Sequence, residues 1–60
     1  MGQMPALVYV DEANTPWVHR WLHSQSNRQA TLLAKPAALP VAQALATQYP
    51  HVQNVVSIAD

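Results

Sequence analysis

The chain of 60 residues contains no cysteine, a single glycine, and only three basic and three acidic side chains. Without cysteine, no disulfide can reinforce a small domain, and thiol chemistry is excluded. With Gly2 as the only glycine, the phosphate-binding loop G-x-x-x-x-G-K-[ST] cannot form. The zero net charge argues against nucleic acid as a partner, because a basic stripe is the usual footprint of such binding.

Long apolar stretches are also missing. No run approaches the ~20 residues that span a bilayer, and no basic start with an apolar core marks a signal peptide. We therefore expect a cytoplasmic protein without a membrane partner. The length predicts one domain over 1–60, with 1–4 as a disordered or added extension and Met4 as an alternative natural start.

What the chain does contain is apolar surface, at 50% of its residues. A domain of this size buries only about 60% of its unfolded surface. The gain from that burial nearly cancels the entropy lost on ordering the chain, so small domains often add disulfides, a metal or an oligomer contact. Since disulfides are excluded, association with a second copy is the simplest solution.

The order of patterns predicts a small β-α-β-α-β unit, an α/β fold with a three-stranded, mostly parallel sheet. The continuous apolar run at 6–10 is typical of a strand covered on both faces. A helix over about 16–26 follows, with Thr15 as cap and Pro16 at its first position. The remaining predicted elements are a strand at 31–35, an amphipathic helix from Leu39 or Pro40 to Tyr49, and a strand at 54–58.

Two structural questions stay open in the sequence. Strand order 2-1-3 would place the helices on opposite faces of the sheet, whereas order 1-2-3 would place both on one face and leave the other bare. Either order leaves two unpaired sheet edges, which favour pairing with another chain. Alternatively, residues 15–34 form one long helix, as in ribbon-helix-helix repressors that bind DNA as dimers.

Charged residues follow the predicted strands. Asp11 and Glu12 end the first strand, Lys35 ends the second, and Asp60 follows the third. Because ligands of parallel sheets bind outside the carboxyl ends of the strands, this acidic rim is a candidate site for a ligand or a divalent metal such as Mg²⁺. The structural alternative is that these charges mark where the chain leaves a buried sheet.

His19 and His23 are spaced i, i+4, which lets two imidazoles on one helix share a metal ion. The alternative is two solvated histidines on the polar face. Such a metal is the only cofactor that the sequence indicates.

Large apolar side chains are the candidates for an interface. Trp17 and Trp21 lie one turn apart, and we expect them in the core, which could continue across a dimer. The full set of interface candidates is Trp17, Trp21, Tyr49, Val55, Val56 and Ile58.

No histidine and acid accompany a serine in a pattern that would activate it, so the sequence favours a non-enzymatic accessory or interaction module. Its expected partner is a second copy of itself, or else another protein. A small metal- or ligand-binding protein is the second hypothesis, and a DNA-binding repressor is the third.

Overall fold

A computed structural model describes residues 4–59 of the chain. The expectations for residues 1–3 and for Asp60 therefore lie outside the described residues. The elements in chain order are β1 (Ala6–Val10), α1 (Thr15–Ser24), β2 (Ala30–Ala34), a 3₁₀ turn (Pro36–Ala38), α2 (Leu39–Gln48) and β3 (Val52–Ser57). The predicted β-α-β-α-β order is confirmed. The alternative of one helix over 15–34 is wrong, because β2 occupies its last five residues.

The three strands form one parallel sheet in the order β1-β2-β3. Parallel neighbours joined by right-handed crossovers place both helices on the same face of the sheet. The burial pattern agrees, since Val8 and Val10 of β1 join Val18 and Leu22 of α1 in the same buried cluster as the buried residues of α2. The opposite face of the sheet is covered by neither helix.

This arrangement corrects the expectation for β1. The continuous apolar run predicted a strand covered on both faces, but Leu7 is 71% exposed while its neighbour Val8 is buried. The prediction was wrong because it inferred two covering layers from apolar composition alone. With the order β1-β2-β3, α1 and α2 lie on the same face and form a single covering layer.

The core between the helices and the sheet is small. Among residues 4–59, the large side chains with less than 2% exposure are Leu22, Leu32, Val10 and Val18. Four of the twelve apolar residues in the buried cluster are alanines, which bury little area each. The buried cluster is Val8, Val10, Val18, Leu22, Ala30, Leu32, Ala34, Ala38, Ala42, Leu45, Tyr49 and Val52.

The ends of α1 differ from the prediction. Thr15 does not cap the helix; its hydroxyl donates instead to the Asp11 carbonyl at 2.7 Å, and Pro16 lies within the first turn. The helix ends at Ser24, two residues early, with the Gln25 amide donating to the Trp21 carbonyl. Serine and asparagine compete with the helical backbone for hydrogen bonds, which explains the early stop in a segment rich in both.

Trp17 also departs from the expectation that it lies in the core. It is 54% exposed, because the buried stripe of α1 centres on Val18 and Leu22 and leaves Trp17 at its margin. By contrast, α2 buries Ala42 and Leu45 along its predicted stripe.

The second and third strands shift slightly from their predicted bounds. β2 begins and ends one residue earlier than predicted, and β3 begins two residues earlier. An irregularity accompanies the early start of β3: Ala30 pairs with Val52 but Thr31 pairs with Asn54, so Gln53 is an extra residue in that strand.

Candidate functional site

The sheet face opposite the helices leaves several large apolar side chains uncovered. Residues paired across parallel strands share a face, so the register defines two rows. These rows, which we call the bare face, are Leu7, Thr31 and Asn54, then Tyr9, Leu33 and Val56.

The bare face is mostly apolar, with Thr31 and Asn54 as its polar members, and it carries no formal charge. Leu7 is 71% exposed, Val56 is 42% and Tyr9 is 40%. Leu33 is half-buried between its neighbours, while Thr31 in the central strand is buried. Isolated exposed apolar residues are common on protein surfaces, but a contiguous set on one face is typical of a contact surface.

The predicted interface residues are dispersed by the fold. Val56 lies on the bare face, and the half-buried Ile58 follows it by two positions beyond the end of β3. Val55 pairs with Leu32 on the helix-covered face and packs against the core. Tyr49 is buried inside its own protomer at 7% exposure.

The two tryptophans form a separate aromatic surface on α1. Their ring centroids are 6.5 Å apart, and the rings are within 19° of parallel. Trp21 is half-buried against the core, and Trp17 stacks on it from the solvent side. The Trp21 ring covers one face of the Trp17 ring, so that face is packed within the protomer.

The acidic rim begins with a turn that fixes Asp11. Its Oδ1 accepts the Asn14 amide at 2.8 Å, and Asn14 Oδ1 accepts the Asp11 amide at 2.9 Å. The Asn14 side-chain amide also donates to the Tyr9 carbonyl at 2.8 Å. This reciprocal pair holds the chain as it passes from β1 to α1, which gives Asp11 a structural role at the carboxyl end of the sheet.

The fold brings three of the four predicted rim residues together. Asp11, Glu12 and Lys35 border one open concavity of about 330 Å³ where β1 and β2 end. The rest of its lining is Tyr9, Ala13, Ala37 and Ala38. Asp60, the fourth predicted member, lies outside the described residues.

The histidine pair is arranged differently from a metal site. The Tyr49 hydroxyl lies 2.8 Å from His19 Nδ1, and the Gln48 amide nitrogen lies 3.2 Å from His19 Nε2. Both ring nitrogens of His19 therefore have protein partners, whereas His23 is exposed. Between residues 4 and 59, no three histidine or acidic side chains come together in a way that could hold a metal ion.

The contact of His19 with Tyr49 extends to a third aromatic side chain. The His51 ring lies 5.7 Å from the Tyr49 ring, and its Nε2 is buried without a hydrogen-bond partner among the described residues. These rings connect α1 with the segment between α2 and β3. This contact was not predicted, because side chains about 30 positions apart in the sequence carry no periodic signal.

Leu7, Tyr9 and Leu33 were likewise missing from the predicted interface. Successive side chains of a strand face opposite sides of the sheet, but the strand order was needed to know which side stays uncovered.

Comparison of the chain with protein-family models, with curated proteins and with solved structures finds no match. No helix in residues 4–59 has the length and apolar character needed to cross a membrane.

Proposed function

We propose that this protein is a small interaction module that works as a homo-oligomer, with the bare face as its contact surface. The single observation that carries the proposal is the uncovered apolar row of Tyr9, Leu33 and Val56, extended by Leu7 in the preceding row. Covering this row with apolar surface would bury side chains that the protomer's own helices cannot reach.

The charge distribution favours a second copy as the occupant. In a two-fold contact the same surface lies on both sides, so any net charge on it would face a like charge. The six residues of the bare face are all uncharged. Self-contact therefore meets no electrostatic penalty, whereas a charged partner would find no complementary group there.

The size of the bare face sets the expected strength of the contact. The sheet has three strands about 4.8 Å apart, and each is about five residues long with a rise of about 3.3 Å per residue. The bare face therefore has a footprint of roughly 14 by 17 Å. A standard stable interface buries about 800 Å² of accessible surface per partner, which is more than this footprint provides. We therefore expect a weak dimer that dissociates on dilution in the micromolar range.

Sedimentation equilibrium across a wide concentration range tests the proposal. The wild type is expected to show a reversible monomer–dimer equilibrium. A Val56→Lys substitution places a charge on the bare face, so we expect a monomer at every concentration. Gln43→Lys adds the same charge to the exposed side of α2 and should leave the dimer intact.

Two outcomes would contradict this function. A wild type that stays monomeric at the highest concentration would show that the bare face does not bind a second copy. Equal loss of the dimer in both lysine variants would show a general effect of charge rather than a contact at the bare face. Circular dichroism of each variant establishes that the fold is retained.

A further inference from the structure

The concavity at the carboxyl ends of β1 and β2 has charges of both signs on its border. Asp11 and Glu12 at the end of β1, and Lys35 at the end of β2, are among the residues that line it. Within residues 4–59, Lys35 forms no hydrogen bond or ion pair with either carboxylate. Opposite charges thus border the same space without neutralising each other.

The remaining walls leave room for a small molecule. Ala13, Ala37 and Ala38 have short side chains, and the Tyr9 ring provides one larger apolar surface. The volume of about 330 Å³ is close to the lower limit of roughly 300 Å³ for small-molecule sites. A few polar groups on apolar walls is the usual composition of such sites.

One carboxylate is held in position before any ligand arrives. Asp11 Oδ1 accepts the Asn14 amide, and the Asn14 side chain is itself tied to the Tyr9 carbonyl. A fixed group loses less conformational entropy on binding than a freely rotating one. Glu12 and Lys35 are exposed, so they can adjust to the ligand.

From this juxtaposition we infer that the concavity binds a small zwitterion of the α-amino acid class. The ligand's ammonium group would lie against Asp11 and Glu12, and its carboxylate would accept a charge-assisted hydrogen bond from Lys35. Its side chain would contact the alanines and the Tyr9 ring. The site needs no second copy, because its described lining residues belong to one protomer, although Tyr9 also lies on the bare face.

Titration of the isotope-labelled protein with L-alanine and L-phenylalanine, followed by amide chemical shifts, tests the site. Propionate and ethylammonium, which each retain one of the two charged groups of alanine, serve as comparison ligands at equal ionic strength. We expect saturable shifts at Glu12, Lys35 and Ala37 with an amino acid. Each single-charge compound should bind at least about tenfold more weakly, which corresponds to ~1.4 kcal/mol.

Substitutions locate the effect. Lys35→Met and Glu12→Gln remove the two exposed charges and should each weaken binding at least tenfold, whereas Arg28→Met removes a charge elsewhere and should not. Absence of saturable shifts with both amino acids would overturn the inference. So would equal binding of the single-charge compounds, or an equal effect of Arg28→Met.

A monomeric variant separates this inference from the proposed function. Leu7→Lys introduces a charge on the bare face but leaves the lining of the concavity unchanged. Retained binding in this variant supports a site within one protomer, and lost binding in a folded variant would overturn it. A wild type that does not dimerise would contradict the proposed function but not this inference.

Discussion

Shortening Leu7 to alanine provides the most quantitative test of the contact at the bare face. Leu7 is 71% exposed in the protomer, so most of its side chain remains to be buried by a partner. The substitution removes three carbons, each worth about 0.8 kcal/mol when fully buried. Scaled by the exposed fraction of 71%, the loss is up to about 1.7 kcal/mol per copy.

A two-fold contact contains Leu7 twice. The dimer of the Leu7→Ala variant should therefore be weaker by up to about 3.4 kcal/mol, which raises its dissociation constant as much as ~300-fold. The folding of the protomer should hardly change, because substitution of an exposed residue usually alters stability by less than ~0.5 kcal/mol. The combination of weakened association and unchanged folding distinguishes a contact residue from a core residue.

Sedimentation equilibrium gives the dissociation constant, and urea denaturation of dilute protein gives the stability of the protomer. Trp17→Ala is the matched control, because Trp17 is likewise a large, exposed apolar residue. Trp17 lies on α1 and not on the bare face. A dimer that survives Leu7→Ala unchanged and is lost with Trp17→Ala would refute the reasoning. The contact would then involve the helical side of the molecule.

Three further substitutions test the protomer itself. Leu32→Ala removes a fully buried side chain and should cost about 2–5 kcal/mol of stability. Because a core of this size supplies only ~3–5 kcal/mol of stability, we expect no cooperative thermal transition by circular dichroism. Tyr49→Phe removes the hydroxyl bonded to His19 and should lower the free energy of unfolding by about 1 kcal/mol in urea, whereas Tyr9→Phe should leave it unchanged. Asn14→Ala removes two side-chain hydrogen bonds and should lower the free energy of unfolding in urea by about 1–2 kcal/mol. Asn27→Ala, at an exposed turn position, should leave that free energy unchanged.

Local patterns predicted most of the secondary structure. The presence of a helix after β1, the stripe of α2 and the position of β1 all depend on residues that are neighbours in the chain, and the structure confirms them. The gathering of Asp11, Glu12 and Lys35 was also predictable, since the carboxyl ends of adjacent parallel strands meet at one edge of the sheet. The contact between His19 and Tyr49 was not, because it depends on how α1 packs against the segment that follows α2.

The strand order could not be predicted from the sequence, and the apolar content of β1 wrongly indicated a strand covered on both faces. A strand of alternating Leu7, Val8, Tyr9 and Val10 has an apolar side chain on each face whichever face the helices cover. Only the order β1-β2-β3 converts half of these residues into exposed surface. A sheet destined to face water on one side usually alternates apolar and polar residues, and β1 does not. The apolar covering of Leu7 and Tyr9 that we propose would give this unbroken pattern a physical explanation.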